Sequence, residues 1–115
     1  MFKNTKDLTL FFARLLDEKK AKDTVILDIN KISFVADYFI ITTAQSPAHL
    51  KTLLKNILER SVDKGIKRNI RCEGNPQTGW VLIDCGDVVI HIFSENKRNY
   101  YNLEYIWQEA KKISL

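Results

Sequence analysis

The stretch GWVLIDCGDVVIHIF, Gly79–Phe93, constrains the fold of this chain more than any other part of the sequence. Runs of β-branched, aliphatic and aromatic residues flank a Cys-Gly pair, which is typical of two short strands joined by a turn. With Cys85 and Gly86 as the loop, the pattern predicts a tight β-hairpin. The cross-strand pairs in this register are Trp80 with His91, Leu82 with Val89, and Asp84 with Asp87.

The two faces of this hairpin differ in chemistry because side chains alternate along a strand. One face is entirely aliphatic and is expected to be core. The other combines aromatic, aliphatic, acidic and imidazole groups, as in a surface that is exposed or covered by a partner. The aliphatic face holds Val81, Ile83, Val88, Ile90 and Ile92; the mixed face holds Trp80, Leu82, Asp84, Asp87, Val89, His91 and Phe93.

The rest of the chain predicts helices and strands in the order αββαβββα. Apolar residues recur at helical spacing in three segments, and β-branched runs mark the strands. We therefore expect one α+β domain over residues 1–115, with a mixed sheet of about five strands and helices packed on it. Helices are predicted over Thr5–Lys20, Gln45–Gly65 and Asn99–Leu115, and further strands over Thr24–Ile29, Asp37–Ala44 and Ile70–Cys72, with a loop at Glu73–Gly79.

Composition excludes several classes of protein. A length of 115 residues with 45% hydrophobic content suits one domain with a genuine core. The net charge of +4 is mildly basic, and no five basic residues are consecutive, unlike a dedicated nucleic-acid binder. No apolar run reaches signal-peptide or membrane-span length. We expect a cytoplasmic chain whose Cys72 and Cys85 are free thiols.

The residues give little support for a metal site or for covalent catalysis. The spacings among Cys72, Cys85, His49 and His91 match no zinc signature, so we predict no metal and no cofactor. A dyad within the hairpin fails on distance, since Asp84 and His91 lie ~13 Å apart along the sheet at ~3.3 Å per residue.

A magnesium-dependent nucleotidyltransferase-like enzyme is the alternative function on the residues alone. Asp28 and Asp37 end neighbouring strands, and Asp84 and Asp87 lie in the hairpin turn, so carboxylates could gather around Mg²⁺. Aspartates are also common as turn and capping residues. No glycine-rich phosphate loop accompanies these carboxylates.

Two further features leave alternatives open. A basic cluster where the second helix meets the third strand fits either RNA phosphate or a solvated helix end, so a general RNA-binding module is a third candidate. Trp80 follows a loop rich in Gly and Asn, where a tryptophan serves either as core or as an interface anchor. The basic cluster consists of Lys64, Lys67, Arg68 and Arg71.

Three stretches together resemble the Iojap/YbeB family, the ribosomal silencing factors. They are ADYFIITTAQSPAH (Ala36–His49), EGNPQTGWVLIDCGDVVIHIF (Glu73–Phe93) and RNYYNLEYIW (Arg98–Trp107). Each motif is modest alone, but the three occur in order and at the family's spacing. The resemblance extends from about Leu8 to Trp107.

The resemblance implies a nucleotidyltransferase-like outline without enzymatic activity. It implies binding to ribosomal protein fourteen on the large ribosomal subunit, which blocks joining of the small subunit and represses translation, and a role in late large-subunit assembly. Apart from the resemblance, the basic patches would tolerate nearby ribosomal RNA, and an exposed apolar hairpin face could pair with a second copy when no ribosome is present. The partner-binding residues implied are Trp80, Leu82, Asp84, His91 and Glu73, with Gly74 shaping the loop beside them.

Two residues depart from the family's pattern. Cys85 stands where a larger apolar or aromatic residue is common, so the hairpin turn is expected to offer less contact surface. Ala44 replaces a frequent glycine after the second strand, which is expected to alter the loop that follows.

Overall fold

A computed structural model describes residues 2–66 and 70–114 of the chain. A six-stranded mixed sheet forms its centre, with the order β3-β4-β5-β2-β1-β6. The predicted α+β class is confirmed, with one strand more than the five expected. The elements are α1 (Thr5–Glu18), β1 (Lys22–Asp28), β2 (Tyr38–Ala44), α2 (Pro47–Asp63), β3 (Arg71–Asn75), β4 (Trp80–Asp84), β5 (Val88–Ser94), α3 (Glu95–Tyr101), α4 (Leu103–Ile106) and β6 (Lys111–Ile113).

The strands β2 and β5 lie side by side in the middle of the sheet and run parallel. The other neighbouring pairs are antiparallel. Both central strands are almost wholly buried, because helices cover one side of the sheet and the C-terminal segment covers the other. This placement explains why their sequences are nearly continuously apolar.

The helices α1 and α2 pack on the aliphatic face of the hairpin, as predicted. Asn4 caps α1 by accepting a hydrogen bond from the backbone N–H of Asp7 at 2.8 Å. Ser46 caps α2 in the same way, ahead of Pro47 at the first helical position. The buried residues of this layer, called the helix layer below, include Phe12, Leu15, Leu16, Leu50, Leu53, Ile57, Val81, Ile83, Ile90 and Ile92.

The predicted hairpin register is wrong, although the two faces are as predicted. The backbone N–H of Cys85 donates to the carbonyl of Val88 at 2.8 Å, so the two loop residues are Gly86 and Asp87. Gly86 has φ +83°, which suits the first loop position of a type II′ turn, where glycine is favoured. The observed pairs are Trp80 with Phe93, Leu82 with His91, and Asp84 with Val89.

The prediction of one C-terminal helix over Asn99–Leu115 is also wrong. α3 begins earlier, at Glu95, and stops at Asn102, whose left-handed φ of 47° ends the helical path. After the short α4, the chain extends as β6 and pairs with β1, so that Lys111 lies opposite Asp28 and Ile113 opposite Ile26. Pairing with an open sheet edge therefore overrides the helical spacing of the sequence.

The third strand is longer than predicted. Glu73 and Gly74, which were expected to shape a loop, lie within β3 opposite Leu82 and Val81. The irregular connection is reduced to a 3-10 turn at Pro76–Thr78. As a result, Glu73 shares one side of the sheet with Leu82 and with His91, which lies opposite Leu82 on the next strand.

Candidate functional site

The mixed face of the hairpin is only partly open to solvent. Phe93 and His91 are 1% and 4% exposed, and Val89 is also buried. The covering residues come from the last part of the chain, which we call the C-terminal layer: Leu103, Trp107 and Ala110. Trp80, Leu82 and Asp84 remain half-buried near the edge of this cover. The expectation that this face is exposed or covered by a partner is therefore wrong for its inner half, which the chain itself covers.

His91 lies behind Trp80 rather than on the surface. Its Nδ1 accepts a long hydrogen bond from the indole N–H of Trp80 at 3.4 Å, which assigns the ring proton to Nε2. That Nε2 is buried and has no hydrogen-bond partner among the described residues. Burial lowers the pKa of His91 to about 4, because the charged imidazolium would lose its hydration. His91 is therefore neutral near pH 7 and positions Trp80 from within.

Trp80 is held between aromatic rings. Its indole stacks on Phe93 with ring centroids 5.2 Å apart, and Tyr101 of α3 lies 4.4 Å away on centroids. These contacts fix the orientation of the indole while leaving it half-exposed. The sequence did not distinguish whether Trp80 is a core residue or an interface anchor. In the structure its ring packs against core residues on one side and remains partly exposed.

A groove of about 270 Å³ opens beside Trp80. Its apolar walls are Trp80, Leu82 and Tyr101, and it also contacts charged Glu73 and Lys97. An apolar recess with a charged rim is typical of protein-docking sites. Lys97 was not identified from the sequence; it lies one helical turn before Tyr101 on α3, so both side chains project from one side of that helix. Starting the predicted helix at Asn99 hid this spacing.

Asp84 has a local structural role in the hairpin. Its carboxylate accepts a hydrogen bond from the backbone N–H of Gly86 at 2.9 Å, which fixes the turn. The side chain is half-buried and lies opposite Arg71 across the β3–β4 pair. Asp84 therefore fixes the turn at the end of the mixed face through one of its carboxylate oxygens.

An exposed apolar loop lies at the same end of the sheet and was not singled out from the sequence. Phe34 is 110% exposed, and Ile32 and Val35 are also exposed. The loop reaches the hairpin turn, because the backbone N–H of Asp37 donates to the carbonyl of Asp87 at 2.8 Å. Its signal in the sequence was a Phe-Val pair between two polar segments, outside any strand or helix pattern. Such exposed apolar residues extend the surface available for docking.

The carboxylates of the enzyme alternative are engaged in turns. Asn30 donates from its side-chain amide to Asp37 at 2.6 Å and from its backbone N–H to Asp28 at 3.2 Å. Over residues 2–66 and 70–114, no group of three or more His, Cys, Asp and Glu side chains is arranged to hold a metal ion. Asp28 and Asp37 therefore act as local turn residues in this structure.

A larger groove of about 560 Å³ lies where the parallel strands β2 and β5 end. Its hydroxyl groups already have partners: Ser46 and Ser94 cap the two helices that begin there. Thr43 accepts a hydrogen bond from the guanidinium of Arg98 at 2.9 Å. These groups build the strand-to-helix junctions.

Both cysteines are free, as predicted. Partial loss of hydration raises the pKa of the exposed Cys72 thiol, and burial raises the pKa of Cys85 to about 12, since a thiolate shielded from water is poorly solvated. Both side chains are therefore neutral thiols near pH 7. Within the basic cluster, Lys67 and Arg68 lie outside the described residues. No helix in the described part of the chain is long and apolar enough to cross a membrane.

Comparison with known proteins gives consistent matches over nearly the whole chain. A family model described as "Ribosomal silencing factor during starvation" matches residues 3–115. The chain is 38% identical over 112 residues to the ribosomal silencing factor RsfS of Bacillus subtilis, covering 97% of this chain and 94% of that protein. It is 32% identical over 106 residues to the chloroplastic protein Iojap of Zea mays, covering 90% of this chain and 44% of that protein.

Solved structures show the same fold. A crystal structure from Bacillus halodurans has a TM-score of 0.83 at 35% identity and covers 96% of this chain and 100% of its own. A crystal structure from Chromobacterium violaceum has a TM-score of 0.85 at 28% identity, covering 97% of this chain and 92% of its own.

Proposed function

Because the chain belongs to the family of ribosomal silencing factors, we propose that it binds the large ribosomal subunit through ribosomal protein fourteen and represses translation. The observation that carries this proposal is the family match over residues 3–115. The partner protein is the one implied by the sequence resemblance. The proposal makes the chain a cytoplasmic regulatory protein rather than an enzyme, with a further role in late large-subunit assembly.

The proposed contact surface is the open half of the mixed face and its edge. Trp80 is the anchor, since half-exposed aromatic side chains held rigidly by neighbours make strong interface contacts. Leu82 lines the groove beside it. Glu73 supplies a charge at the rim of the groove and Asp84 one at the hairpin-turn end of the surface, and such charges set orientation more than affinity. His91 contributes indirectly, through its hydrogen bond to Trp80.

The proposed mechanism of repression is steric. The folded chain measures 34 × 34 × 23 Å along its principal axes. Contacts between ribosomal subunits require atoms to approach within about 3.5 Å, the outer limit of a hydrogen bond. A body of these dimensions that sits on the joining surface of the large subunit therefore keeps the small subunit from making those contacts. No chemical step is needed.

Basic residues and the open surface suggest two accompanying interactions. The net charge of +4 favours a position next to ribosomal RNA phosphates, and this term should weaken as salt rises. In the absence of ribosomes, the half-exposed surface around Trp80 is free to pair with a second copy of the chain. Ribosome binding and self-pairing would then compete for the same residues.

Sucrose-gradient sedimentation of purified ribosomal subunits tests the proposal. The wild-type chain is expected to travel with the large subunit and to reduce the amount of joined ribosomes. Trp80→Ala is expected to weaken binding about a hundredfold, as for an interface hot spot. Thermal unfolding of the variant shows whether it is folded.

Two matched charge reversals locate the surface without disturbing the core. Glu73→Lys, on the proposed surface, is expected to weaken binding about threefold to tenfold through repulsion and lost orientation. Glu59→Lys changes an exposed glutamate of α2 on the opposite side of the sheet and is expected to leave binding unchanged. A wild-type chain that stays at the top of the gradient contradicts the proposal.

A further inference from the structure

β3 is an open edge of the sheet beside the proposed contact surface. It pairs on one side with β4, and no other described strand pairs with its outer side. All residues of Arg71–Asn75 are exposed. An unpaired strand edge presents backbone N–H and C=O groups that are ready to bond to another extended chain.

The hydrogen-bond pattern shows which backbone groups of β3 face outward. On β4, Cys85 and Gly79 bond to β5, through Val88 and Ser94 respectively. Because bonding direction alternates along an antiparallel strand, the even-numbered residues of β4 bond to β3. Their partners are Arg71, Glu73 and Asn75. Cys72 lies between two of these inward-facing residues, so its N–H and C=O point away from the sheet.

We propose that this edge is where the protein partner docks, as an extended segment that adds a strand along β3. The proposal rests on the proposed function and specifies how that contact is made. The added strand would exchange backbone hydrogen bonds with Cys72, which gives affinity without dependence on the side chain of Cys72. The sheet of the chain would then continue into the partner.

The groove beside Trp80 supplies the side-chain part of the recognition. It is lined by β3 residues Glu73 and Gly74 as well as by Trp80, Leu82 and Tyr101. A strand added at ~4.8 Å from β3 sends alternate side chains onto the same side of the sheet as Glu73. One large apolar side chain of the added strand would enter the groove, where the apolar walls favour it.

The chemistry of β3 argues for a different protein rather than a second copy of this chain. In a symmetric pairing of two β3 edges, the residues brought to this side of the sheet would be Arg71, Glu73 and Asn75. These are charged or polar, whereas the groove is walled mainly by Trp80, Leu82 and Tyr101. An apolar residue in the added strand fits the groove better, so the occupant is a strand from another protein.

A proline at Cys72 tests the docking edge directly. Cys72→Pro removes an outward N–H and leaves the inward-facing bonds of Arg71 and Glu73 in place, because an edge position tolerates proline. It is expected to weaken binding to purified large ribosomal subunits about tenfold or more, since a backbone acceptor in the partner is left without its donor. Cys72→Ala keeps the N–H and is the matched control, expected to bind like the wild type.

The outcomes separate this inference from the proposed function. If the wild-type chain does not bind the large subunit, the proposed function itself fails. If wild type, Cys72→Ala and a folded Cys72→Pro bind equally, only the docking edge is overturned. If Cys72→Pro abolishes self-association of the free chain and leaves subunit binding intact, the edge serves a second copy and the inference is wrong.

Hydrogen exchange of the wild-type chain gives a second test that needs no variant. The backbone N–H of Cys72 is expected to exchange rapidly in the free chain and at least about tenfold more slowly on the large subunit, because a new hydrogen bond protects it. The backbone N–H groups of Leu53 and Ile57 within α2 serve as the internal reference. Unchanged exchange at Cys72 in the bound chain overturns the inference even if the proline variant does not fold.

Discussion

The helix layer and the C-terminal layer cover the same sheet with different chemistry. Under α1 and α2 the buried residues are almost all aliphatic or phenylalanine. Under the C-terminal segment, aromatic rings surround buried His91, whose Nε2 has no hydrogen-bond partner in the part of the chain that the structure describes. The first arrangement is typical of a core that only has to be stable. The second holds Trp80 rigid and half-exposed, and it lowers stability by burying a polar nitrogen of His91.

The largest effect is expected in the helix layer. Phe12 is fully buried between α1 and the sheet. Phe12→Ala is expected to lower the free energy of unfolding by about 3–5 kcal/mol, through lost burial and the cavity it leaves. Urea unfolding followed by circular dichroism measures the change.

Phe34→Ala is the matched control for that variant. The ring of Phe34 is wholly exposed in the β1–β2 loop, so truncation is expected to change the free energy of unfolding by about 0.5 kcal/mol at most. A comparable loss at both positions would mean that the loop packs in solution, and the contrast between core and surface would need revision.

The buried histidine should make the C-terminal layer sensitive to acid. Burial lowers the pKa of His91 to about 4, whereas an unfolded histidine titrates near 6.5. Between these pH values the unfolded chain binds the additional proton, so the free energy of unfolding falls as the pH is lowered from about 6.5 to about 4. The loss is expected to be about 3 kcal/mol, complete below pH 4.

His91→Phe isolates this contribution from that of the carboxylates. The variant keeps an aromatic ring but has no group that titrates in this range. Between pH 7 and pH 4, the free energy of unfolding of the wild type should fall further than that of His91→Phe, and the additional fall should equal the predicted loss. If the two curves run parallel, His91 is accessible enough to be protonated without cost.

The attachment of the C-terminal layer depends on Arg98. Its guanidinium donates to the carbonyl of Asp23 at 2.7 Å and to Thr43 at 2.9 Å, and its Nε donates to Glu104 at 2.8 Å. The side chain is only 12% exposed. Arg98→Ala is expected to lower the free energy of unfolding by about 2 kcal/mol, since three charge-assisted hydrogen bonds are lost, one of them to buried Thr43.

Arg60 provides the comparison from the helix side. Its contacts with Glu18 and Asp63 are 3.7 and 4.0 Å long and exposed to solvent. Arg60→Ala is expected to cost about 0.5 kcal/mol, as for other surface ion pairs. Chemical denaturation of both variants at two salt concentrations distinguishes them, because the effect at Arg60 should fade with salt.

Two glycines with positive φ compare the β3 edge with the hairpin turn. At Gly74, an added Cβ would clash with the backbone carbonyl oxygen of Trp80, so Gly74→Ala must push β3 from β4. At Gly86, an added Cβ meets nothing within 4 Å. We expect losses of about 2 kcal/mol and about 1 kcal/mol respectively in urea unfolding, the latter from backbone strain alone. Equal losses in the two variants would mean that β3 moves away from β4 at little energetic cost.

Local patterns were sufficient for much of the fold. The helical spacing of apolar residues predicted α1 and α2 close to their observed bounds. Alternation along the hairpin predicted its two faces correctly, even though the register was wrong. The error in register came from the turn, where Gly86 rather than Cys85 takes the first loop position. Each cross-strand partner therefore moves by two residues, and such a move leaves every side chain on the same side of the sheet.

Long-range contacts decided the parts that were missed. The helical spacing after Arg98 predicted one helix, but pairing of β6 with the edge of β1 is a contact between opposite ends of the chain. The burial of His91 likewise follows from Leu103, Trp107 and Ala110 folding back over β5. Nothing in the hairpin sequence distinguishes a histidine that faces solvent from one covered by a distant segment.

The sequence by itself determined the fold class, the helix layer, the two hairpin faces and the family resemblance, because these depend on local periodicity and motif spacing. Only the tertiary structure decided which part of the mixed face is open, where the groove beside Trp80 lies and which backbone groups of β3 are free. Those features arise where segments far apart in sequence meet, and packing among such segments leaves no local pattern to read.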